Sequence, residues 1–144
     1  MIKFKKIGLV ALLLTGFMLG SLPDPVSAKE IAWQRFADGI ARGKTENKKI
    51  FLHFYARWCG ACKIMENKTF TDPTVIAYIN ENFIPIKVDA DRELKTSQMF
   101  RVRALPDNWF IAEDGKPIGH RLGFIPPHQL KGILKLLMDE NAGQ

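Results

Sequence analysis

Cys59 and Cys62 are the only cysteines in this chain of 144 residues, and two residues lie between them. Thiols at that spacing can close a disulfide within one turn of helix. The bond can also be exchanged: a thiolate attacks one sulfur of another disulfide, and a second thiol then displaces the mixed disulfide so formed. A cysteine at the first turn of a helix suits the first step. Unpaired backbone N–H groups and the positive end of the helix dipole both favour thiolate over thiol there. Cys59 is expected at such a position as nucleophile, with Cys62 one turn inside as the resolving thiol. Two cysteines cannot staple a multi-disulfide scaffold, so the pair is either one structural bridge or a working redox couple.

Several neighbours could share in that chemistry. Trp58 adjoins Cys59 and would shield the pair on one side, unless it is a plain core aromatic. Glu66 lies four residues after Cys62 and seven after Cys59, so all three share one helix face. A carboxyl buried there, its pKa raised, could take the proton that Cys62 loses when it attacks. A solvated surface carboxylate is the alternative. His53 titrates near neutrality and could do the same job, although a satisfied core histidine also fits. Arg57 adds positive charge beside Cys59, Met65 falls at a core-facing spacing, and His120 and His128 read as lone surface residues. Two cysteines with scattered histidines lack the ligand set of structural zinc. No metal or cofactor is assigned; copper held by both thiols and one histidine is the alternative.

The elements that must position these residues follow from periodicity. Ile31 to Gly43 carries Trp33, Phe36, Ala37, Ile40 and Ala41 at helical spacing. Ile50 to Ala56 reads as a strand, and Cys62 to about Phe70 as a helix. Asp72-Pro73 restarts or kinks that helix, with Pro73 in a first turn, and an apolar face continues to about Asn82. Phe83 to Asp89 is a second strand. Pro85 cannot donate to a ladder, so this strand is an edge or Pro85 lies at its start. Asp91 caps a third helix reaching about Phe100. Asn108 to Ala112 and Pro117 to Leu122 flank an Asp114-Gly115 hairpin turn, and Pro126 to Met138 closes the chain as a helix. The order α-β-α-β-α-β-β-α predicts an α/β fold with a mixed sheet of four, or five, strands and helices on both faces.

The first 28 residues do not read as part of that domain. Lys3, Lys5 and Lys6 precede an apolar run, Ile7 to Leu22, of about 16 residues, short of the ~20 that span a bilayer. Pro23 and Pro25 break the run, and Val26-Ser27-Ala28 offers small residues for a signal peptidase. Residues 1–28 are therefore expected to be a secretory signal peptide, with an uncleaved anchor as the alternative. Residues 29–144 form one domain, long enough for a core. Without Lys3, Lys5, Lys6 and Asp24, 18 basic and 14 acidic residues remain, a balance of +4. Those charges are scattered, which argues against a nucleic-acid partner.

Trp58-Cys59-Gly60-Ala61-Cys62-Lys63 after a strand resembles the active site of the thioredoxin superfamily. Val102-Arg103-Ala104-Leu105-Pro106 resembles that family's cis-proline loop, and Gly115 falls in its β-hairpin. The likeness runs from about Trp33 to Leu137. Tyr55 to Trp58, Cys62-Lys63, Glu66 and Thr69 to Val75 are similar to the C-terminal periplasmic domain of the transmembrane reductase DsbD and related secreted proteins. The resemblance implies a thioredoxin fold and a periplasmic thiol–disulfide oxidoreductase, most simply a reductant of exported disulfide-containing proteins. It implies recharging by a membrane thiol donor of the DsbD kind, and the protein is expected to act as a monomer. An oxidase or isomerase, or a non-catalytic module binding a partner or copper, is the alternative. It also implies a cis Pro106 against the disulfide, with the Leu105 backbone and Trp58 offered to an extended substrate. Asp107, where the family often has Thr or Ser, would put negative charge near the groove. Thioredoxins proper carry a buried Asp six residues before the first cysteine, paired with a Lys from the neighbouring strand. His53 stands at the first position and Pro85 at the second, so that pair is expected to be absent, with Glu66 as its replacement.

Overall fold

A computed structural model describes residues 29–139. The expected signal peptide, residues 1–28, lies outside the described residues. The elements are α1 (Phe36–Glu46), β1 (Ile50–Tyr55), α2 (Gly60–Lys68), α3 (Pro73–Asn82), β2 (Ile84–Asp89), α4 (Leu94–Met99), β3 (Asp107–Ile111), β4 (Pro117–Leu122) and α5 (Pro127–Asp139). The sheet is mixed and four-stranded, in the order β2-β1-β3-β4. β1 runs parallel to β2 and antiparallel to β3, and β3 and β4 form the hairpin. Among the described residues no helix is long and apolar enough to cross a membrane.

β1 lies inside the sheet, and its alternation feeds two cores. Phe51 joins Met65 of α2, Val75, Ile76 and Ile79 of α3, Phe110 of β3, and Leu130 and Leu134 of α5. Ile50, Leu52 and Phe54 pack on the opposite face with Ile84, Ile86 and Val88 of β2, Phe36 and Ile40 of α1, and Phe100. Phe51 and Phe54 are fully buried, each stabilising the fold by about 1.5–3 kcal/mol. The chain breaks between α2 and α3 where Asp72 caps the second helix, accepting from the Thr74 and Val75 N–H groups, with Pro73 in its first turn. The hairpin turn places Gly115 at φ 86, a backbone that suits glycine.

The first predicted helix is shorter than its periodicity suggested. Ile31 to Arg35 is not helical, and α1 starts at Phe36. Trp33 packs with one core and Phe36 with the other. The segment passes around the β2 edge, which one helix face could not do while serving both cores. On the way, the Gln34 N–H donates to the Pro85 carbonyl and the Lys87 N–H to the Gln34 carbonyl. This isolated bridge is what remains of a fifth strand. Pro85 is the second residue of an edge strand, and its missing N–H is on the side away from the β1 ladder. At the other edge, the β3–β4 register shifts at Phe110/Ile111.

α1 sits close on the sheet because of Gly39. A Cβ there would meet Ile86 Cγ1 and Cδ1 well inside van der Waals contact, whereas one on Gly132 of α5 would meet nothing within 4 Å. Gly39→Ala is expected to lose about 1–2 kcal/mol net of its helix-propensity gain, and Gly132→Ala to gain about 0.5–1 kcal/mol. Urea unfolding of both variants checks this; a Gly39→Ala protein as stable as wild type would mean that α1 can back away from β2.

Candidate active site

Where β1 ends, Ala56 to Trp58 turn the chain into α2, and Cys59 is the N-cap residue of that helix. Its Sγ accepts the Cys62 backbone N–H at 3.1 Å. Cys59 and Cys62 form a disulfide with Cα atoms 5.3 Å apart. The residues are 4% and 1% exposed and share a small apolar cluster with Ala56, against which Tyr55, Ala61 and Leu105 pack. When the bond opens, negative charge on Cys59 Sγ faces the Cys62 N–H and the helix dipole, an attraction of about 0.3–1 kcal/mol at an exposed helix end and more when partly buried.

The Leu105–Pro106 peptide bond is cis. Pro106 is buried, and its carbonyl accepts the Gly123 N–H at 2.8 Å. Trp58 is 70% exposed, so it is not a core aromatic. Its indole Nε1–H donates to Asp91 Oδ2 at 2.9 Å. That bond corrects the helix-cap expectation for Asp91: α4 starts after Glu93, with no side-chain cap bond. Trp58 and Leu105 line one groove of ≈ 500 Å³, with Leu94, Gln98 and Arg101 to Ala104 along its walls. The Arg57 side chain is exposed, and its Nε lies 3.9 Å from Asp89 Oδ2, a carboxylate also approached by Arg92.

Glu66 is one-third exposed and forms an ion pair with Lys87 of β2. As expected, no acid–lysine pair stands at positions 53 and 85; what the sequence left unnamed is the lysine that pairs with Glu66. The carboxylate comes from α2 and the lysine stands two residues beyond Pro85. Lys87 Nζ also sits 4.4 Å from the centre of the Tyr55 ring, within cation–π range. Tyr55 thus touches both the redox cluster and the Glu66–Lys87 pair. Burial first, then the carboxylates of Asp89 and Glu66, push its phenol up. The strand pattern carried a signal for Lys87: period two sets it on the face opposite Ile84, Ile86 and Val88, toward α2.

His53 is Lys87's neighbour in the β1–β2 register. It is fully buried, and its Nδ1 lies 2.8 Å from Asn108 Oδ1. Asn108 Nδ2 donates to the Arg121 and Gly123 carbonyls, which identifies Oδ1 as the acceptor and puts the His53 proton on Nδ1. The ring stacks on Tyr55 and meets Phe70 edge-on, and Nε2 has no hydrogen-bond partner among the described residues. Burial pushes its pKa down to about 4, with Lys87 adding to the fall and Asn108 and Glu66 opposing it. His53 reads as a core histidine anchored on one side.

Two further expectations are corrected. Asp107 is 2% exposed and is held by His120, whose Nδ1 lies 2.8 Å from Asp107 Oδ1. Its charge is turned into the fold and is not displayed in the groove. His120 is not a lone surface residue either, since it also stacks on Trp109 at 4.3 Å. Both interactions depend on the β3–β4 register, in which Trp109 faces His120. Among the described residues no group of three or more His, Cys, Asp or Glu side chains could hold a metal ion.

A family model described as a thioredoxin-like domain matches residues 36–137. A thioredoxin from Mycoplasmoides gallisepticum is 38% identical over 89 residues, 62% of this chain and 84% of that protein. The thiol:disulfide interchange protein DsbD of Vibrio vulnificus is 34% identical over 85 residues, 56% of this chain but 14% of that longer protein. The solution structure of a thioredoxin from Thermus thermophilus superposes with a TM-score of 0.69 at 18% identity, covering 76% of this chain and 88% of the other.

The His53 pKa carries a sign for stability. The unfolded chain takes up the imidazole proton near pH 6.5 and the folded chain only near pH 4. Within that window the unfolded state binds more protons, so stability falls as pH drops. His53 alone is expected to remove about 2–3 kcal/mol between pH 7 and pH 4.5. Urea unfolding at both pH values should show a smaller acid loss in His53→Gln than in wild type; equal losses would mean that His53 is not held neutral.

Proposed function

This chain belongs to the thioredoxin-like family, and from that premise we propose that it is a periplasmic dithiol–disulfide oxidoreductase working as a reductant of exported proteins. The observation that carries the reading is the placement of Cys59: N-cap of α2, bonded to Cys62, and packed in a cluster with Leu105, whose peptide bond to Pro106 is cis. Location rests on the signal-like residues 1–28. Direction rests on the likeness to DsbD, together with the need of any exported reductant for electrons from a membrane thiol donor.

In the reduced protein, the Cys59 thiolate attacks one sulfur of a substrate disulfide. A mixed disulfide forms and one substrate thiolate leaves. Cys62 then attacks Cys59 Sγ, the second substrate thiolate leaves, and the Cys59–Cys62 bond closes with two electrons passed to the substrate. The Leu105 backbone receives the extended substrate segment by strand-like hydrogen bonds, and Trp58 and Pro106 complete that surface. Glu66 takes the Cys62 proton, with Lys87 holding the carboxylate in place. His53 is less suited, since its Nδ1 is committed to Asn108.

Insulin reduction by dithiothreitol should be accelerated by wild type and not by Cys59→Ser; equal rates would end the enzyme reading. In the native envelope, Cys62→Ala should accumulate mixed disulfides with exported proteins and with a membrane donor. Capture of a dedicated oxidant in place of the donor would reverse the direction.

The proton assignment has its own test. Glu66→Gln is expected to slow reduction on the order of tenfold or more and to change the pH–rate profile. His53→Gln at pH 7.5, where it stays folded, is expected to stay within about threefold of wild type. Equal or reversed losses would take the proton away from Glu66.

A further inference from the structure

Arg101 and Arg103 line the same groove as Trp58 and Leu105, and the thiol chemistry uses neither. Both are exposed. Among the described residues neither guanidinium has an ion-pair partner. Arg57 and Arg92, by contrast, both approach Asp89. Asp91 is engaged by the Trp58 indole and does not line the groove. Arg101 also holds a left-handed backbone at φ 51. Its N–H bonds the Gln98 carbonyl, and the Val102 N–H bonds that of Ser97, closing the end of α4. Glycine fits such a helix terminus with least strain; here an arginine occupies it, beside a groove that Trp58, Leu94, Val102 and Leu105 make largely apolar and to which Ser97, Gln98 and Arg103 add polar groups.

We infer that this groove selects disulfides flanked by an apolar, acidic segment, with Asp or Glu about two residues from the reactive cysteine. The inference rests on the oxidoreductase reading above and names its substrate class. An extended segment paired with the Leu105 backbone turns alternate side chains to one side, about 6.5–7 Å apart. Arg103 lies two residues before Leu105 in the loop that lines the groove, and its long side chain has the reach to meet a substrate side chain about two removed from the one opposite Leu105. Trp58 and Leu94 receive apolar side chains. A carboxylate at the arginines gains charge-assisted hydrogen bonds, and a lysine is repelled. The electron and proton balance is that of the exchange already described.

Three extended peptides differing only in Asp, Asn or Lys two residues from one cysteine test this. The cysteine is held as a mixed disulfide with a neutral chromogenic pyridinethiol, whose release by the pre-reduced protein is followed. The expected order of the second-order rate constants for this single round of exchange is Asp, Asn, Lys, with Asp about tenfold above Lys at low ionic strength. The ratio should fall toward unity in ~1 M salt, where the screening length is about 3 Å. Arg101→Asn combined with Arg103→Gln should bring the Asp/Lys ratio within about twofold; asparagine tolerates the left-handed backbone, and a thermal melt confirms folding. A wild-type ratio within about twofold overturns the inference and leaves the oxidoreductase reading standing. A preference that survives the double substitution overturns the assignment to these arginines. Release from no peptide, with wild type equal to Cys59→Ser, overturns the oxidoreductase reading and the inference with it.

Discussion

Six residues of β1 hold both cores of the molecule on opposite sides of one backbone. The strand is flanked by β2 and β3 and covered on both faces, so its register has no freedom: a slip by one residue would exchange Phe51, His53 and Tyr55 for Ile50, Leu52 and Phe54. Because α2 begins five residues after Tyr55, that register also fixes where Cys59 caps its helix. The chemistry of the pair is thus set by packing well away from the sulfurs. The same alternation brings His53 and Tyr55 beneath α2, next to Lys87.

Where the resemblance to thioredoxins proper leads one to look for a single buried acid–lysine pair, the polar groups under α2 fall into two layers. His53 takes the buried position and is neutralised by it, tied to Asn108 and through Asn108 to the Arg121 and Gly123 carbonyls. The charged pair moves outward, to Glu66 and Lys87, where partial solvent access lowers the cost of keeping two charges. Tyr55 lies between these layers, its ring against the lysine and its side chain against the redox cluster.

Much of this was legible from local signals. Cys59 at a helix start, the Asp72-Pro73 restart, Pro85 on an edge strand and the Gly115 turn each follow from a residue with strong backbone preferences. What was not legible depended on which strands face one another. Lys87 meets Glu66 only because β2 pairs in parallel with β1, and Asp107 meets His120 only across the β3–β4 pairing. Asp91 looked like a helix cap because its type suits one; the Trp58 indole, 33 residues away in sequence, claimed it instead. Trp33 and Phe36 showed helical spacing although they serve opposite cores, a distinction that periodicity alone does not carry.

The two borders of the sheet have a bearing on selectivity. On one side Pro85 offers no N–H, and Gln34 already occupies the outward-facing groups of β2 around it. On the other, β4 starts at a proline and its ladder is interrupted by the shift at Phe110/Ile111. A protein that recognises extended, partly unfolded chains through backbone bonds runs the hazard of recruiting them along its own margins and seeding aggregates. With both margins poorly suited to receive a strand, the function proposed above leaves Leu105, packed against the Cys59–Cys62 cluster, as the place where an extended chain would dock.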